Sequence, residues 1–214
     1  MKIGIIGSGM VGQTLAAKLA GLGHSVMIGT RDPGKLADWL DQAEHAIAVG
    51  SLAETAAHGE LVLNATAGGA SLAALEQAGA ANLRGKILID IANPLDFSQG
   101  MPPSLSIANT DSLGEQIQRA FPEARVVKTL NTLSAPLMVD PNQLADGDHH
   151  VFVSGNDAEA KAQVSAFLRA EFGWKNIIDL GDITTARGTE MLLPIWVRLW
   201  GALGTPLFNF KLVK

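Results

Sequence analysis

The chain has 214 residues, enough to bury the core of one domain, or of one large domain and one small one. Its formal net charge of −5 at pH 7 and its scattered lysines and arginines exclude the basic surface typical of nucleic-acid-binding proteins. The absence of cysteine excludes disulfides and thiolate metal sites, and it favours a reducing cytoplasmic location.

The first predicted strand runs directly into a glycine-rich motif. Apolar residues 3–6 lead into Gly7, Gly9 and Gly12, spaced as Gly-x-Gly-x-x-Gly, and a helical pattern continues over residues 10–22. In dinucleotide-binding folds the first glycine makes a tight turn, the second admits a pyrophosphate, and the third lets the helix pack on the strand. The motif therefore predicts a pyrophosphate site at the helix N-terminus, and its early position leads us to expect no signal peptide.

The second predicted strand, residues 25–28, ends where the adenosine ribose would lie. A site specific for NAD would place Asp or Glu near position 30, whereas this chain has Thr30, Arg31 and Lys35. A hydroxyl, a guanidinium and an ammonium group suit a 2′-phosphate, so NADP is the predicted cofactor. Asp32 leaves an alternative open, because it could accept the ribose hydroxyls or cap the next helix beside a solvated Arg31 and Lys35.

The later elements continue the alternation of strands and helices. Strands are predicted over residues 46–49, 60–65, 86–91, 125–130, 149–153 and 176–180, and helices over residues 51–58, 71–81, 112–121, 157–171 and 186–203. This pattern predicts an α/β, Rossmann-type doubly wound fold with a mostly parallel sheet and a small C-terminal α/β portion. We expect an NADP-binding domain over residues 1–140, and a portion over residues 141–214 that completes a second-cofactor cleft and a dimer surface.

Small and polar residues follow the ends of three later strands, and ligands of such sheets lie beyond the strand ends. They are Ala65, Thr66 and Ala67 after the fourth strand, Asn93 after the fifth, and Asn131 and Thr132 after the sixth. The small residues leave room for a flat ring or the nicotinamide ribose. The amides and hydroxyls could orient the nicotinamide or a second ring, or they could brace the loops.

Absent residue types exclude several mechanisms. Without tyrosine there is no Tyr–Lys proton relay, and without cysteine there is no thiol-dependent aldehyde chemistry. His149 and His150 are adjacent on a predicted strand and face opposite ways, so we predict no metal site. Hydride transfer between a nicotinamide and another redox ring needs no protein acid or base, because the protein need only hold the two rings face to face.

Several segments together resemble the NADPH:deazaflavin-coenzyme oxidoreductase family. They span the chain in order and comprise the glycine motif, residues 29–31 with Lys35, and residues 126–132, 154–157, 186–190 and 210–212. The nucleotide-binding part also resembles the cytoplasmic domain of the six-transmembrane metalloreductases, which pass hydride from NADPH to flavin. The resemblance implies an NADP-dependent oxidoreductase, a small-molecule redox acceptor and a homodimer.

The family's binding residues carry over to this chain by position. The resemblance implies that Thr30, Arg31 and Lys35 contact the 2′-phosphate. It also implies a pyrophosphate loop of Ser8, Gly9, Met10 and Val11, and a wall for the deazaflavin ring over residues 131–136, including Ser134 and Ala135. Archaeal members have a His-Thr-Ile-Pro-Ala run where this chain begins with Asn131, so a deazaflavin, a flavin or another small acceptor stays open.

Two other functions stay open at this stage. A redox sensor or scaffold would bind NADP without turnover and expose a partner surface at the second cleft. A small imine or ketone reductase would need a proton donor, for which Asp90, Asp96 and Lys128 are the ionisable candidates near the strand ends.

The last predicted helix has one broad apolar face. A helical wheel places Leu192, Ile195, Trp196, Leu199, Trp200 and Leu203 on that face, and Arg187, Glu190 and Arg198 on the other side. Leu193 and Val197 widen the apolar face. Such a face predicts burial against the domain and against a second copy. Pro194, Arg198 and Pro206 interrupt the apolar stretch, so we expect no membrane association.

Overall fold

The computed structural model describes residues 1–213, and its main feature is one sheet of eight strands. They are β1 (Lys2–Ile6), β2 (Ser25–Gly29), β3 (Ala48–Gly50), β4 (Leu61–Asn64), β5 (Ile87–Asp90), β6 (Arg125–Thr129), β7 (His150–Ser154) and β8 (Asn176–Gly181). The strand order is β8-β7-β6-β5-β4-β1-β2-β3, and every neighbouring pair is parallel except β6 with β7. The predicted Rossmann-type, mostly parallel α/β fold is therefore confirmed.

The helices pack on both faces of the sheet. They are α1 (Met10–Gly21), α2 (Ala37–Asp41), α3 (Leu52–His58), α4 (Ser71–Ala78), α5 (Ala80–Leu83), α6 (Leu113–Ala120), α7 (Ala135–Val139), α8 (Ala158–Phe167), α9 (Ala186–Met191) and α10 (Leu193–Leu203). A short antiparallel hairpin pairs Leu95–Asp96 with Ser104–Leu105 inside the long connection between β5 and α6.

The central strands are apolar without alternation because both of their faces are covered. Ile3 and Ile5 of β1 belong to one core cluster with Leu15 of α1, whereas Ile6 belongs to a second cluster with Leu75 of α4. Because β1, β2, β4, β5 and β6 are parallel, their carboxyl ends lie at the same edge of the sheet, and the loops that follow them meet there.

Two predicted helices are interrupted in the structure. The helix predicted over residues 71–81 breaks at Gly79, which has a left-handed φ of +87°. The helix predicted over residues 186–203 divides at Leu192 into α9 and α10. Pro194 lies in the first turn of α10 and has no backbone N–H to continue the hydrogen bonding of α9.

The C-terminal helix packs by only one part of the predicted apolar face. Leu193, Trp196 and Val197 are buried in a third small cluster with residues of the hairpin and the C-terminal segment. Of the six residues that the helical wheel places on the apolar face, only Trp196 is buried, and Glu190, predicted on the polar side, is 1% exposed. Among residues 1–213, no helix combines the length and the apolar character needed to cross a bilayer.

Candidate functional site

The glycine motif forms a tight loop between β1 and α1. Gly7 has a φ of +122°, and a Cβ placed on it would lie 2.5 Å from the Ala65 carbonyl oxygen. A Cβ on Gly12 would lie 2.1 Å from the Gly7 carbonyl oxygen, so these two positions require glycine. Gly9 faces open space, no side chain caps α1, and no acidic residue lies in its first turn. The exposed N-terminus of α1 therefore fits a pyrophosphate group.

A cavity of about 350 Å³, here called the dinucleotide cavity, extends from this loop. Its walls follow the ends of β1, β2 and β4 and include residues of α3 and α4. The lining residues are Gly7, Ser8, Gly9, Gly29, Thr30, Arg31, Asp32, Lys35, Leu52, Ala65, Thr66, Ala67, Ala70, Ala73, Ala74 and Gln77. Most of the predicted cofactor residues are thus brought together around one space.

The basic residues of the cavity lie at its rim beside a capped turn. Ser8 Oγ donates to Thr30 Oγ1 at 3.0 Å, which joins the glycine loop to the end of β2. Asp32 caps the turn Pro33–Leu36, accepting from the Gly34 backbone N–H at 3.2 Å. Its other oxygen lies 4.0 Å from Lys35 Nζ, and Arg31 makes no ion pair within residues 1–213. Asp32 Oδ1 therefore caps this turn, while Arg31 and Lys35 present positive charge to the rim.

A second cavity of about 460 Å³, here called the ring cavity, adjoins the first. The two cavities share Ala65, Thr66, Ala67 and Ala70. The ring cavity is lined by Val11, Ala65, Thr66, Ala67, Gly68, Gly69, Ala70, Ile91, Ala92, Asn93, Leu95, Phe97, Asn131, Leu133, Met138, Leu193 and Trp196. None of these lining residues is ionisable, and the polar side-chain groups among them are two amides, one hydroxyl and the indole N–H of Trp196.

The two asparagines of the ring cavity bond to each other. Asn93 Nδ2 donates to the Asn131 carbonyl oxygen at 2.7 Å, and Asn131 Nδ2 donates to Asn93 Oδ1 at 2.9 Å. The preceding Leu130 adopts a left-handed φ of +62°, which is strained for leucine and turns the chain at the end of β6. The amides therefore brace the loops after β5 and β6 against each other.

Some predicted site residues lie away from both cavity linings. Met10 is exposed on α1, Gly12 is buried beneath the glycine loop, and Thr132, Ser134 and Ala135 are buried behind the end of β6. The ring cavity instead takes Phe97, Met138, Leu193 and Trp196, which sequence reasoning did not select. Their only signal in the sequence is that they are large and apolar, which is equally typical of core residues.

Behind the ring cavity lies a buried ionic group, here called the buried triad, formed by Asp90, Lys128 and Glu190. Lys128 Nζ is 2.8 Å from Asp90 Oδ2 and 2.8 Å from Glu190 Oε1, and the three side chains are at most 1% exposed. Burial opposes the ammonium charge, but the two carboxylates outweigh it and raise the pKa of Lys128 above its usual value. Asp90 and Lys128 are thus enclosed in an ion pair and do not reach the ring cavity as proton donors.

The remaining ionisable candidates also lie outside the cavities. Asp96 is half-exposed, and the Ser98 backbone N–H that it accepts lowers its pKa. His149 is buried, with Nε2 2.9 Å from the Pro141 carbonyl oxygen and Nδ1 2.7 Å from Asn209 Nδ2. Within residues 1–213 no three His, Asp or Glu side chains group in a way that could hold a metal ion.

Sequence and structure comparisons relate the chain to NADP-dependent oxidoreductases. Residues 2–94 match the family described as NADP oxidoreductase coenzyme F420-dependent. Over 210 residues the chain is 27% identical to the F420-dependent NADP reductase of Methanothermobacter marburgensis, with 93% of this chain and 92% of that protein covered. A crystal structure of a candidate F420-dependent NADP reductase from Arthrobacter sp. FB24 is 62% identical, with both chains fully covered and a TM-score of 0.96.

The chain is also similar to part of a longer protein. It is 32% identical over 206 residues to Metalloreductase STEAP3 of Rattus norvegicus, and the match covers 91% of this chain. The same match covers only 38% of the metalloreductase, so the chain spans little more than a third of that relative.

Proposed function

The chain belongs to the coenzyme F420-dependent NADP oxidoreductase family, and from this premise we propose that it transfers hydride between NADP(H) and a deazaflavin or flavin-type acceptor. The dinucleotide cavity would hold NADP, with the pyrophosphate on the N-terminus of α1. The ring cavity would hold the acceptor. The nicotinamide would then lie at Ala65, Thr66 and Ala67, the stretch that both cavities share.

The proposed NADP preference depends on the rim of the dinucleotide cavity. Arg31 and Lys35 supply two positive charges, and Thr30 Oγ1 supplies a hydroxyl held by Ser8. Bidentate contacts of a guanidinium with phosphate are strong, and a 2′-phosphate is the group that distinguishes NADP from NAD. The capping role of Asp32 supports the same preference, because a carboxylate that turned toward the ribose hydroxyls would lose its bond from the Gly34 N–H.

The observation that carries the proposal is the uncharged lining of the ring cavity beside the dinucleotide cavity. Hydride transfer leaves a negative charge on the acceptor, which a flavin or deazaflavin ring delocalises until it takes a proton from solvent, so no protein acid or base is needed. Reduction of a simple imine or ketone needs a proton donor near the reacting atom. Asp90 and Lys128 are sequestered in the buried triad, which favours a ring acceptor over a carbonyl or imine substrate.

An NADPH oxidation assay tests this proposal directly. The acceptors are a deazaflavin, FMN, FAD, a ferric chelate, a cyclic imine and a simple ketone, each at equal concentration. We expect turnover with the deazaflavin or the flavins, and turnover at least about a hundredfold slower with the imine and the ketone. Turnover confined to the imine or ketone would refute the ring acceptor. NADPH binding without turnover of any acceptor would favour the sensor or scaffold.

We also propose a homodimer that uses the C-terminal portion, residues 141–214. Ile195, Trp200 and Leu203 of α10 are 48%, 42% and 56% exposed within one copy, and large apolar side chains exposed on one helix favour a protein partner. Sedimentation of the intact chain should give a dimer, and Ile195→Asp should shift it to a monomer. A monomeric intact chain would contradict the proposal.

We also propose a cytoplasmic location for the protein, which the cysteine-free composition supports.

A further inference from the structure

The buried triad has a net negative charge. Asp90 Oδ1 accepts from Asn64 Nδ2 at 2.8 Å and from the Ala92 backbone N–H at 3.3 Å. Glu190 accepts from the backbone N–H groups of Leu113 at 2.8 Å and Gly114 at 3.0 Å. Both carboxylates otherwise accept only from Lys128, so every hydrogen-bond partner of the two groups is a donor. Two carboxylates and one ammonium give a formal charge of −1.

This charge lies directly behind the wall of the ring cavity. Ala92 lines the cavity, and the triad holds both of its backbone groups, because Lys128 Nζ donates to its carbonyl oxygen while Asp90 accepts from its N–H. A second connection runs through Asn64, whose Oδ1 accepts from Thr66 Oγ1 at 2.7 Å. Thr66 lines both cavities. The triad therefore contacts the cavity wall directly at Ala92, and it contacts the wall at Thr66 through one intervening residue, Asn64.

The surrounding groups do not cancel this charge fully. The first turn of α6 directs two N–H groups at Glu190, and a helix N-terminus contributes only about half a positive charge. The nearby carboxylate of Glu115 is already matched by Arg187, whose Nη2 lies 2.6 Å from its Oε1. Because the triad is at most 1% exposed, water and salt screen it poorly.

We propose that the buried triad makes the site favour the oxidised nicotinamide ring over the reduced one. The inference rests on the proposed function, in which the ring lies beside Thr66. The oxidised ring carries a positive charge that the reduced ring lacks, and a buried negative charge acts on it more strongly than a solvated one. The triad therefore holds NADP⁺ more tightly, relative to NADPH, than a neutral wall would. It also makes NADPH at this site a stronger hydride donor than it would be beside a neutral wall.

The test compares the affinities of the intact protein for NADP⁺ and NADPH, measured separately by calorimetric titration without an acceptor. Glu190→Gln removes one negative charge and keeps an amide oxygen for α6 and Lys128. We expect the ratio of NADP⁺ affinity to NADPH affinity to fall by on the order of tenfold. A purely structural role for Glu190 would weaken both nucleotides equally and leave the ratio unchanged.

Glu115→Gln is the matched control. Glu115 also lies in the first turn of α6 and is buried, but it pairs with Arg187 and has no bond to the triad or Ala92. We expect its affinity ratio to stay within about twofold of the unsubstituted protein. A ratio that is unchanged in Glu190→Gln, or shifted equally in both variants, would overturn the inference while leaving the proposed function intact. Failure of the unsubstituted protein to bind either nucleotide would refute the proposed function itself.

Two further measurements cover the case in which Glu190→Gln does not fold. Asp90→Asn removes the other negative charge and carries the same expected shift. In the unsubstituted protein, raising the salt from about 0.05 M to 0.5 M should weaken both nucleotides through their phosphates, yet change the ratio less than about twofold. A ratio that collapses with salt would trace the preference to surface charges and overturn the inference.

Discussion

The dinucleotide cavity and the ring cavity are built from the sequence in different ways. The first takes most of its walls from short stretches that directly follow β1, β2 and β4. The second collects its walls from positions as distant as Val11 and Trp196. One offers backbone N–H groups and rim charges, which suit phosphates, whereas the other offers an uncharged surface. The cavity for the dinucleotide, a ligand common to many enzymes, is thus formed by residues close together in the sequence. The cavity proposed for the specific acceptor depends on how remote segments pack.

A bulky side chain at Gly9 should have the largest effect and act on the dinucleotide cavity alone. A Cβ at Gly9 meets nothing within 4 Å, so the fold should accept Gly9→Val, but the side chain would occupy the proposed pyrophosphate position. We expect at least about a hundredfold loss of affinity for both NADP⁺ and NADPH, measured by titration, with a cooperative thermal transition.

Gly12→Ala provides the contrast within the same motif. Its Cβ would lie 2.1 Å from the Gly7 carbonyl oxygen, so this variant should lose stability rather than binding alone. If Gly9→Val also lost its folded signal, the role of Gly9 would be structural, and the distinction between the two glycines would be wrong.

Arg31→Ala should remove most of the preference for NADPH over NADH, which we expect to be at least tenfold in the unsubstituted protein. Charge-assisted hydrogen bonds contribute about 1.5–3 kcal/mol, which corresponds to roughly 10–100-fold in NADPH affinity. NADH affinity should change little, because NADH lacks the 2′-phosphate. Arg84→Ala, which breaks an exposed pair with Glu123 outside both cavities, is the control. A variant that retained the preference would transfer the role to Thr30, Lys35 or other residues.

Trp196→Leu should act on the ring cavity and spare the dinucleotide cavity. Trp196 lines the ring cavity and packs on Phe208, with 5.2 Å between ring centroids. We expect the KM for the acceptor to rise about tenfold because a large flat contact surface is lost. NADPH affinity, measured without acceptor, should stay within about twofold.

Trp200→Leu is the matched control on the same helix, because Trp200 is exposed and lies outside the ring cavity. Its acceptor KM should change less than about twofold. An equal rise in both variants would mean that α10 acts through packing or assembly and not through contact with the acceptor.

Much of the fold and of the dinucleotide cavity could be predicted from the sequence because the signals are local. Apolar strands alternate with helical patterns, and that alternation restricts the topology to a doubly wound sheet. The glycine motif immediately follows β1, and Thr30, Arg31 and Lys35 immediately follow β2. Residues that are close in the chain at the end of one strand must be close in space, so no knowledge of tertiary packing is needed.

The buried triad and the far wall of the ring cavity could not be predicted, because they depend on long-range packing. A helical wheel places Glu190 on the side opposite the apolar face, and a charged residue there is expected to be solvated. Its true environment depends on α9 packing beside α6 and on Lys128 at β6, which no local pattern reveals. For Trp196 the helical wheel predicts burial, but not the partners, which are the hairpin and the C-terminal segment.

Lys35→Ala should produce the smallest effect and shows how the two rim charges differ. The Lys35 side chain is 76% exposed, and its ammonium lies 4.0 Å from Asp32 Oδ2, so it acts as a mobile, screened point charge. We expect about a threefold loss of NADPH affinity at low salt, which should nearly vanish at about 0.5 M salt. The effect of Arg31→Ala should persist at that salt, because directed hydrogen bonds do not depend on long-range attraction. A loss for Lys35→Ala as large and as salt-resistant as that for Arg31→Ala would mean that Lys35 bonds the phosphate directly, and that both residues are fixed parts of the dinucleotide cavity.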